Sequence, residues 1–195
     1  KKNKDKTSKI DMKKECQELI NHNIKNINED IIHFDSHFEC GNLQLVYYIE
    51  KEFETNTQVY QLFLHNDTNT NGYTQWFFFK IINGKKGQKI SINIMNLYRK
   101  KSLYSNGMKI LYFSKKKYEK EKIGWNRTNE NVEYGINFLY KIIKGKRKNY
   151  YSLSFDYTFE YDNDEIYFAN SIPFSFTTMN KILNGYRKYE NGKYI

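Results

Sequence analysis

One proline (Pro173), one alanine (Ala169), four arginines and two cysteines are all that a chain of 195 residues contains of these types. Each scarcity excludes something. Cys16 and Cys40 form no Cys-x-x-Cys pair, so neither a disulfide framework nor a thiolate knuckle is encoded, and free thiols suit a reducing, cytoplasmic setting. No apolar run approaches the ~18–20 residues that cross a bilayer, so no membrane span is expected. Residues 1–30 hold no apolar stretch of signal-peptide type, which leaves the Asn-x-Thr sequons at Asn66 and Asn126 without a route to glycosylation. The chain begins at Lys1 rather than Met, which predicts a piece of a longer protein. Arginine is scarce within 32 basic residues. That weakens a nucleic-acid reading of the net charge of +10, because bidentate contacts to bases and phosphates favour Arg. With 24 Asn beside abundant Lys, Ile, Tyr and Phe, the composition is that of AT-rich codons, and much of the charge reads as solvated surface.

Aromatic residues, in contrast, make up 17% of the chain and hydrophobic ones 39%. A domain of this size buries roughly 70% of its unfolded surface, so a core is expected without a metal or disulfide staple. Residues 1–30 form a polar tail in which Met12, Cys16, Leu19, Ile20, Ile24 and Ile27 have the loose spacing of one helix. Beyond it the period changes to two. Strands are expected at Leu43–Ile49, Val59–Leu64 and Lys109–Phe113, and around Ile90, Ile92 and Ile94. Thr74–Ile82 is a near-continuous apolar run, as for a strand covered on both faces. Phe138–Ile143, the basic turn Gly145–Asn149 and the alternating Tyr151, Leu153, Phe155, Tyr157, Phe159 and Tyr161 predict a hairpin, and Ile166–Ala169 closes the set. Eight to nine short strands with no helices between them predict an all-β fold, an antiparallel β-sandwich over 31–176. A helix over 177–186 is expected to follow, at the start of a closing segment 177–195, N-capped by Thr177 or Thr178, with Met179, Ile182, Leu183 and Tyr186 as its apolar stripe.

Catalytic patterns are missing. Histidines stand at 22, 33, 37 and 65, and none begins a His-x-x-Glu. His33 and His37 share a helical spacing but precede a strand, so they read as surface residues. The carboxylate groups Glu50, Glu52, Glu54 and Asp162, Asp164, Glu165 lack the offsets of a calcium loop and read as solvated charge. No phosphate loop and no nucleophile elbow is present. On residues alone this is a binding or accessory module without catalytic residues or a metal site.

Six segments carry a resemblance. They are FDSHFECGNL at 34–43, QWFFF at 75–79, NIMNL at 93–97, YSNGMKILYFS at 104–114, DEIYFA at 164–169 and IPFSFTT at 172–178. In order and spacing, over roughly 34–185, they resemble the N-terminal domain of the cytosolic carboxypeptidases, zinc enzymes that remove glutamates from tubulin and other proteins. Departures are Cys40 for the usual Ser, Ile110 where Pro is common, Phe174 and Phe176 for two Tyr, and an unusually basic 126–150. Gly41 fits a close backbone approach or a positive φ, Trp76 a core anchor whose indole N–H needs a partner, and Asn106–Gly107 a turn. The resemblance implies that zinc, its ligands and the general base belong to a catalytic domain beyond Ile195, and that none maps onto a residue here.

The resemblance therefore implies an accessory domain that supports folding and docking of its own catalytic domain, and contributes to substrate access, with Pro173, Phe174 and Phe176 as docking candidates. Without the catalytic domain the fragment is expected to show neither hydrolysis nor stoichiometric zinc. The alternative is a module recruiting acidic, polyglutamylated tails. Its candidates are Lys85, Lys86, Lys89, Arg99, Lys100 and Lys101 in segment 85–101, and Lys141, Lys144, Lys146, Arg147 and Lys148 in segment 141–148; neither segment contains a carboxylate. A carbohydrate-binding sandwich would need its alternating aromatics exposed.

Overall fold

The computed structural model describes residues 32–51, 56–70, 72–143 and 145–190. The expected tail helix, Cys16 and His22, together with Glu52 and Glu54, lie outside the described residues. Two five-stranded sheets face each other. The first runs β1 (His33–Asp35), β4 (Phe78–Ile82), β10 (Ile166–Ala169), β6 (Leu111–Ser114), β7 (Asn126–Arg127). The second runs β2 (Leu43–Lys51), β3 (Gln58–Leu64), β5 (Lys89–Leu97), β9 (Lys146–Thr158), β8 (Val132–Ile143). A 3-10 turn (Leu103–Asn106) and helices α1 (Lys115–Glu121) and α2 (Phe176–Glu190) complete the order.

Period-two patterning builds the core. Tyr60, Leu62 and Leu64 of β3, Ile90, Ile92 and Ile94 of β5, and Leu153, Phe155 and Tyr157 of β9 all point inward and are buried. The first sheet answers with Phe79, Ile81, Tyr112, Ile166 and Phe168. Aromatic rings join the layers: Phe168 lies 5.3 Å from Phe155 and 5.2 Å from Tyr157, centroid to centroid, and Tyr112 lies 5.6 Å from Tyr157. The alternating aromatics of β9 therefore fill the core rather than a sugar-binding surface.

The sandwich matches the expected class, with local differences. Every pairing is antiparallel except that of β3 with β5, which run parallel from Gln58↔Ile90 to Leu62↔Ile94. The chain leaves for the first sheet as β4 between them, and that long crossover allows the two strands to run the same way. Thr74–Ile82 is a strand only from Phe78 onward. Its first half is held by side chains instead, since the Asp67 carboxylate accepts the backbone N–H groups of Gln75 and Trp76. The basic turn at 145–149 is mostly strand, because β9 begins at Lys146.

Helix α1 was not expected, and none of its residues is buried. Ser114 caps it through Lys117 N–H, and Asp164 accepts the Ser114 hydroxyl and Lys116 N–H. Asp164 is thus a buried capping residue, not the solvated charge its cluster suggested. The cap of α2 also differs. Ser175, not Thr177 or Thr178, is the N-cap: its Oγ accepts Thr178 N–H at 3.1 Å and its carbonyl accepts Met179 N–H.

Candidate functional site

The segment FDSHFECGNL ties the two sheets together at one end of the sandwich. After β1, Ser36 donates to the Leu43 carbonyl and Gly41 N–H to the Phe38 carbonyl. A Cβ on Gly41 would sit 2.1 Å from the Ser36 carbonyl oxygen, so the tight approach is the reason for glycine there. The positive φ falls one residue earlier, on Cys40 at 68°. The Cys40 carbonyl accepts the Trp76 indole N–H at 2.7 Å, but Trp76 is half-buried, ahead of β4 and outside the core cluster, so it ties this loop down rather than anchoring the core as expected. Asn42 acts as a strand residue for its neighbour: its backbone N–H donates to Phe78 O, its Oδ1 accepts Phe78 N–H, and its amide donates to Trp76 O. Burial, then the adjacent Glu39 carboxylate, pushes the Cys40 thiol up, so it stays protonated near neutrality and offers no thiolate nucleophile.

This loop also begins an aromatic layer on the outward face of the first sheet. Phe38 packs on Phe78 at 4.9 Å and on Tyr167 at 5.7 Å, and Trp125 continues the layer 6.1 Å from Phe78. The consecutive apolar residues of QWFFF now have a physical account, since Phe77 and Phe79 enter the core while Phe78 is buried under this layer. Lys80 crosses the layer, 3.2 Å from Asp35 and 3.9 Å from Glu165. The Asp35 carboxyl is held below its ordinary range chiefly by His37 N–H, and Glu165 by Lys115. A depression of about 430 Å³ lies between Phe38, Lys80 and Trp125 on one side and Pro173 and Ser175 on the other.

The docking candidates lie along this rim. Pro173 is half-buried in the depression, whereas Phe174 and Phe176 are 63% and 67% exposed, with Ile172 beside them at 62%. Ile182, Leu183 and Tyr186 extend the exposed apolar surface along α2. Glu39 anchors this segment, its carboxylate accepting Thr177 N–H at 2.8 Å. That contact, above all, holds the Glu39 carboxyl below its ordinary range. The outward aromatic layer has its sequence signal in an apolar run too continuous for a one-sided strand, whereas Glu39 has none, because only the fold brings Thr177 to it.

The basic candidates are divided by β5. This strand rises about 27 Å along the sandwich at ~3.3 Å per residue, so Lys85, Lys86 and Lys89 lie at one end and Arg99, Lys100 and Lys101 at the other. At the first end Lys89 pairs with Asp156 at 2.7 Å, and Lys86 N–H meets Asp162. At the second end Arg99–Lys101 reach the β8–β9 hairpin near its base, while Lys141, Lys146, Arg147 and Lys148 lie farther along it toward the tip; Lys144 lies outside the described residues. Tyr134 of β8 makes the link by donating to the Arg99 carbonyl, and burial pushes its phenol up to about 12, so it remains a donor.

Among the described residues no three His, Cys, Asp or Glu side chains converge on a metal-sized site. His37 is exposed and engaged with Asp35 at 3.0 Å. These described side chains offer no ligand set for zinc. Among the described residues, no helix is long and apolar enough to cross a membrane.

Residues 34–170 match the model of the cytosolic carboxypeptidase N-terminal domain. The chain belongs to that family. It is 36% identical over 146 residues to cytosolic carboxypeptidase 2 of Macaca fascicularis, covering 75% of this chain and 16% of the relative. It is 33% identical over 158 residues to cytosolic carboxypeptidase 3 of Bos taurus, covering 80% and 15%. The chain thus spans about one sixth of the length of these relatives. Among solved structures, a metallo-carboxypeptidase from Burkholderia cenocepacia matches with a TM-score of 0.49 and 16% identity, over 79% of this chain and 32% of that one.

Proposed function

We propose that this domain is the accessory, non-catalytic module of a cytoplasmic zinc metallocarboxypeptidase that removes glutamates from tubulin or another protein. The domain begins at about residue 31, and its sandwich passes near residue 176 into the connection toward the catalytic domain. It supports the folding of that catalytic domain, docks against it and borders the path of the substrate. One observation carries the reading: Ile172, Phe174 and Phe176 leave the sandwich exposed, beside the outward aromatic layer and Pro173. Three large apolar side chains in one short exposed segment are a surface that a neighbouring domain would cover.

The test is made in the longer parent chain. Phe174→Ser combined with Phe176→Ser should lower its melting temperature and its release of glutamate from a peptide ending in glutamates, while the 195-residue chain carrying the same changes melts as before. Equal melting of the parent with and without the changes would remove the docking role. Tight stoichiometric zinc or glutamate release in the 195-residue chain alone would overturn the non-catalytic reading.

A further inference from the structure

The β8–β9 hairpin is longer than the sheet that carries it. Strand β9 pairs with β5 only as far as Tyr151↔Leu97, so, among the described residues, 146–150 and 140–143 have only each other as strand neighbours. Between Ile136↔Tyr151 and Tyr140↔Asn149, β8 uses two residues more than β9. An even excess leaves the alternation of faces unchanged. Asn137 fixes this bulge, its Oδ1 accepting Leu139 N–H at 2.7 Å and its amide donating to Met95 O at 2.5 Å. Ile136, Tyr140 and Ile142 therefore continue the core-facing side of Val132 and Tyr134 past the end of the sandwich. They are 64%, 52% and 70% exposed, and Phe138 in the bulge is 72% exposed.

The opposite side of the arm is fastened to the body. The Lys141 ammonium donates to Gly72 O at 2.6 Å and lies 4.3 Å from the centre of the Tyr98 ring; the Lys148 ammonium donates to the Tyr98 hydroxyl at 2.6 Å. The arm is held out with one apolar side open, and β8 is the outermost strand of its sheet. Between Tyr134 and Tyr151 there are five basic residues and no carboxylate. Arg147 covers the Tyr140 ring at 4.1 Å on the open side, and Arg99–Lys101 flank β8 through Tyr134.

We infer that the outer edge of β8 receives an extended acidic peptide as an added strand. Backbone groups of the edge would give the pairing. Apolar side chains of the peptide would lie on Ile136, Tyr140 and Ile142, and its carboxylates would meet Lys146, Arg147 and Arg99–Lys101. The same charge opposes a second copy of this chain at the edge, because the two basic arms would repel each other. This surface is separate from the docking rim and is read in the 195-residue chain by itself, so its failure would leave the accessory role standing.

The probe is a fluorescein-labelled octapeptide of alternating valine and glutamate, followed by anisotropy at about 50 and 200 mM salt, where screening weakens contacts between exposed charges. Binding is expected at the lower salt and should fall at the higher, with new amide-exchange protection along 132–142. Ile142→Asp and Arg147→Glu, both at exposed positions, should each weaken binding at least tenfold without moving the melting temperature. Four results would overturn the inference. Octaglutamate binding equally well would mean charge alone. Unchanged affinity in both variants would exclude the arm. Protection of the same amides without peptide, together with dimers in sedimentation, would mean a second copy covers the edge. Loss of binding in the longer parent chain would mean the parent itself covers it.

Discussion

The carboxylate of Glu39 accepts a hydrogen bond from the backbone N–H of Thr177, 2.8 Å away and 138 positions later in the chain. Together with Ser175, which accepts Thr178 N–H, it satisfies two of the amides that the first turn of α2 leaves without partners. The loop after β1 thereby sets where the chain leaves the sandwich.

This contact makes the first turn of α2 sensitive to acid. The Glu39 carboxyl titrates lower in the folded chain than in the unfolded one. Its contribution is therefore complete above the unfolded pKa of about 4.3 and is lost as pH falls through the lower folded value. Amide exchange at Thr177 should quicken in that acid window and stay flat from pH 5 to 8, apart from intrinsic exchange. Glu39→Gln should remove the pH dependence.

Neighbouring positions should respond oppositely to glycine and alanine. Gly41→Ala places a methyl 2.1 Å from the Ser36 carbonyl oxygen and should cost about 1–3 kcal/mol, the scale of forced overpacking. Cys40→Gly relieves a left-handed conformation at φ 68°, which costs a non-glycine residue about 1–2 kcal/mol. Its unfolding midpoint in urea should hold or rise, offset in part by the greater entropy of the unfolded chain.

Phe168 is the contact through which β10 holds the second sheet, with Phe155 and Tyr157 within 5.3 Å. Phe168→Ala should destabilise the domain by about 3–5 kcal/mol. The urea midpoint should fall while the slope of the transition is unchanged.

Asp164 is buried at the start of α1 and accepts from Ser114 and Lys116. Asp164→Ala should cost about 1–3 kcal/mol through the unsatisfied buried donors. Asp164→Asn, which keeps an acceptor, should cost less. Thermal melts of the two variants measure the difference.

Much of this architecture was legible as alternation. Ile90, Ile92 and Ile94, the residues of β9, and Ile166–Ala169 declare a period of two because one side of each meets the core. Helix α1 could not be read that way, because KKKYEKE buries nothing and is held from outside by Ser114 and Asp164. Pro173, Phe174 and Phe176 were visible because they close a recognisable segment, but Glu39 became significant only when the fold brought Thr177 to it. The basic residues illustrate the opposite error. Lys89 and Arg99 are close in sequence, yet a strand keeps them at opposite ends, while Arg99 meets the β8–β9 hairpin across a long loop.

The place of β10 bears on how the protein is made. β10, the last of the described strands, sits in the middle of its sheet, between β4 and β6. At ~5–20 residues per second, a ribosome needs about 4–17 s to pass from the end of β4 to the start of β10. Throughout that interval β4 presents an open inner edge, joined by that of β6 once it is made, and Phe79 lacks the Phe168 ring that covers it. Nascent chains are thus most vulnerable to edge-to-edge association just before β10 emerges, and a stop codon anywhere ahead of Ile166 releases a domain that cannot close.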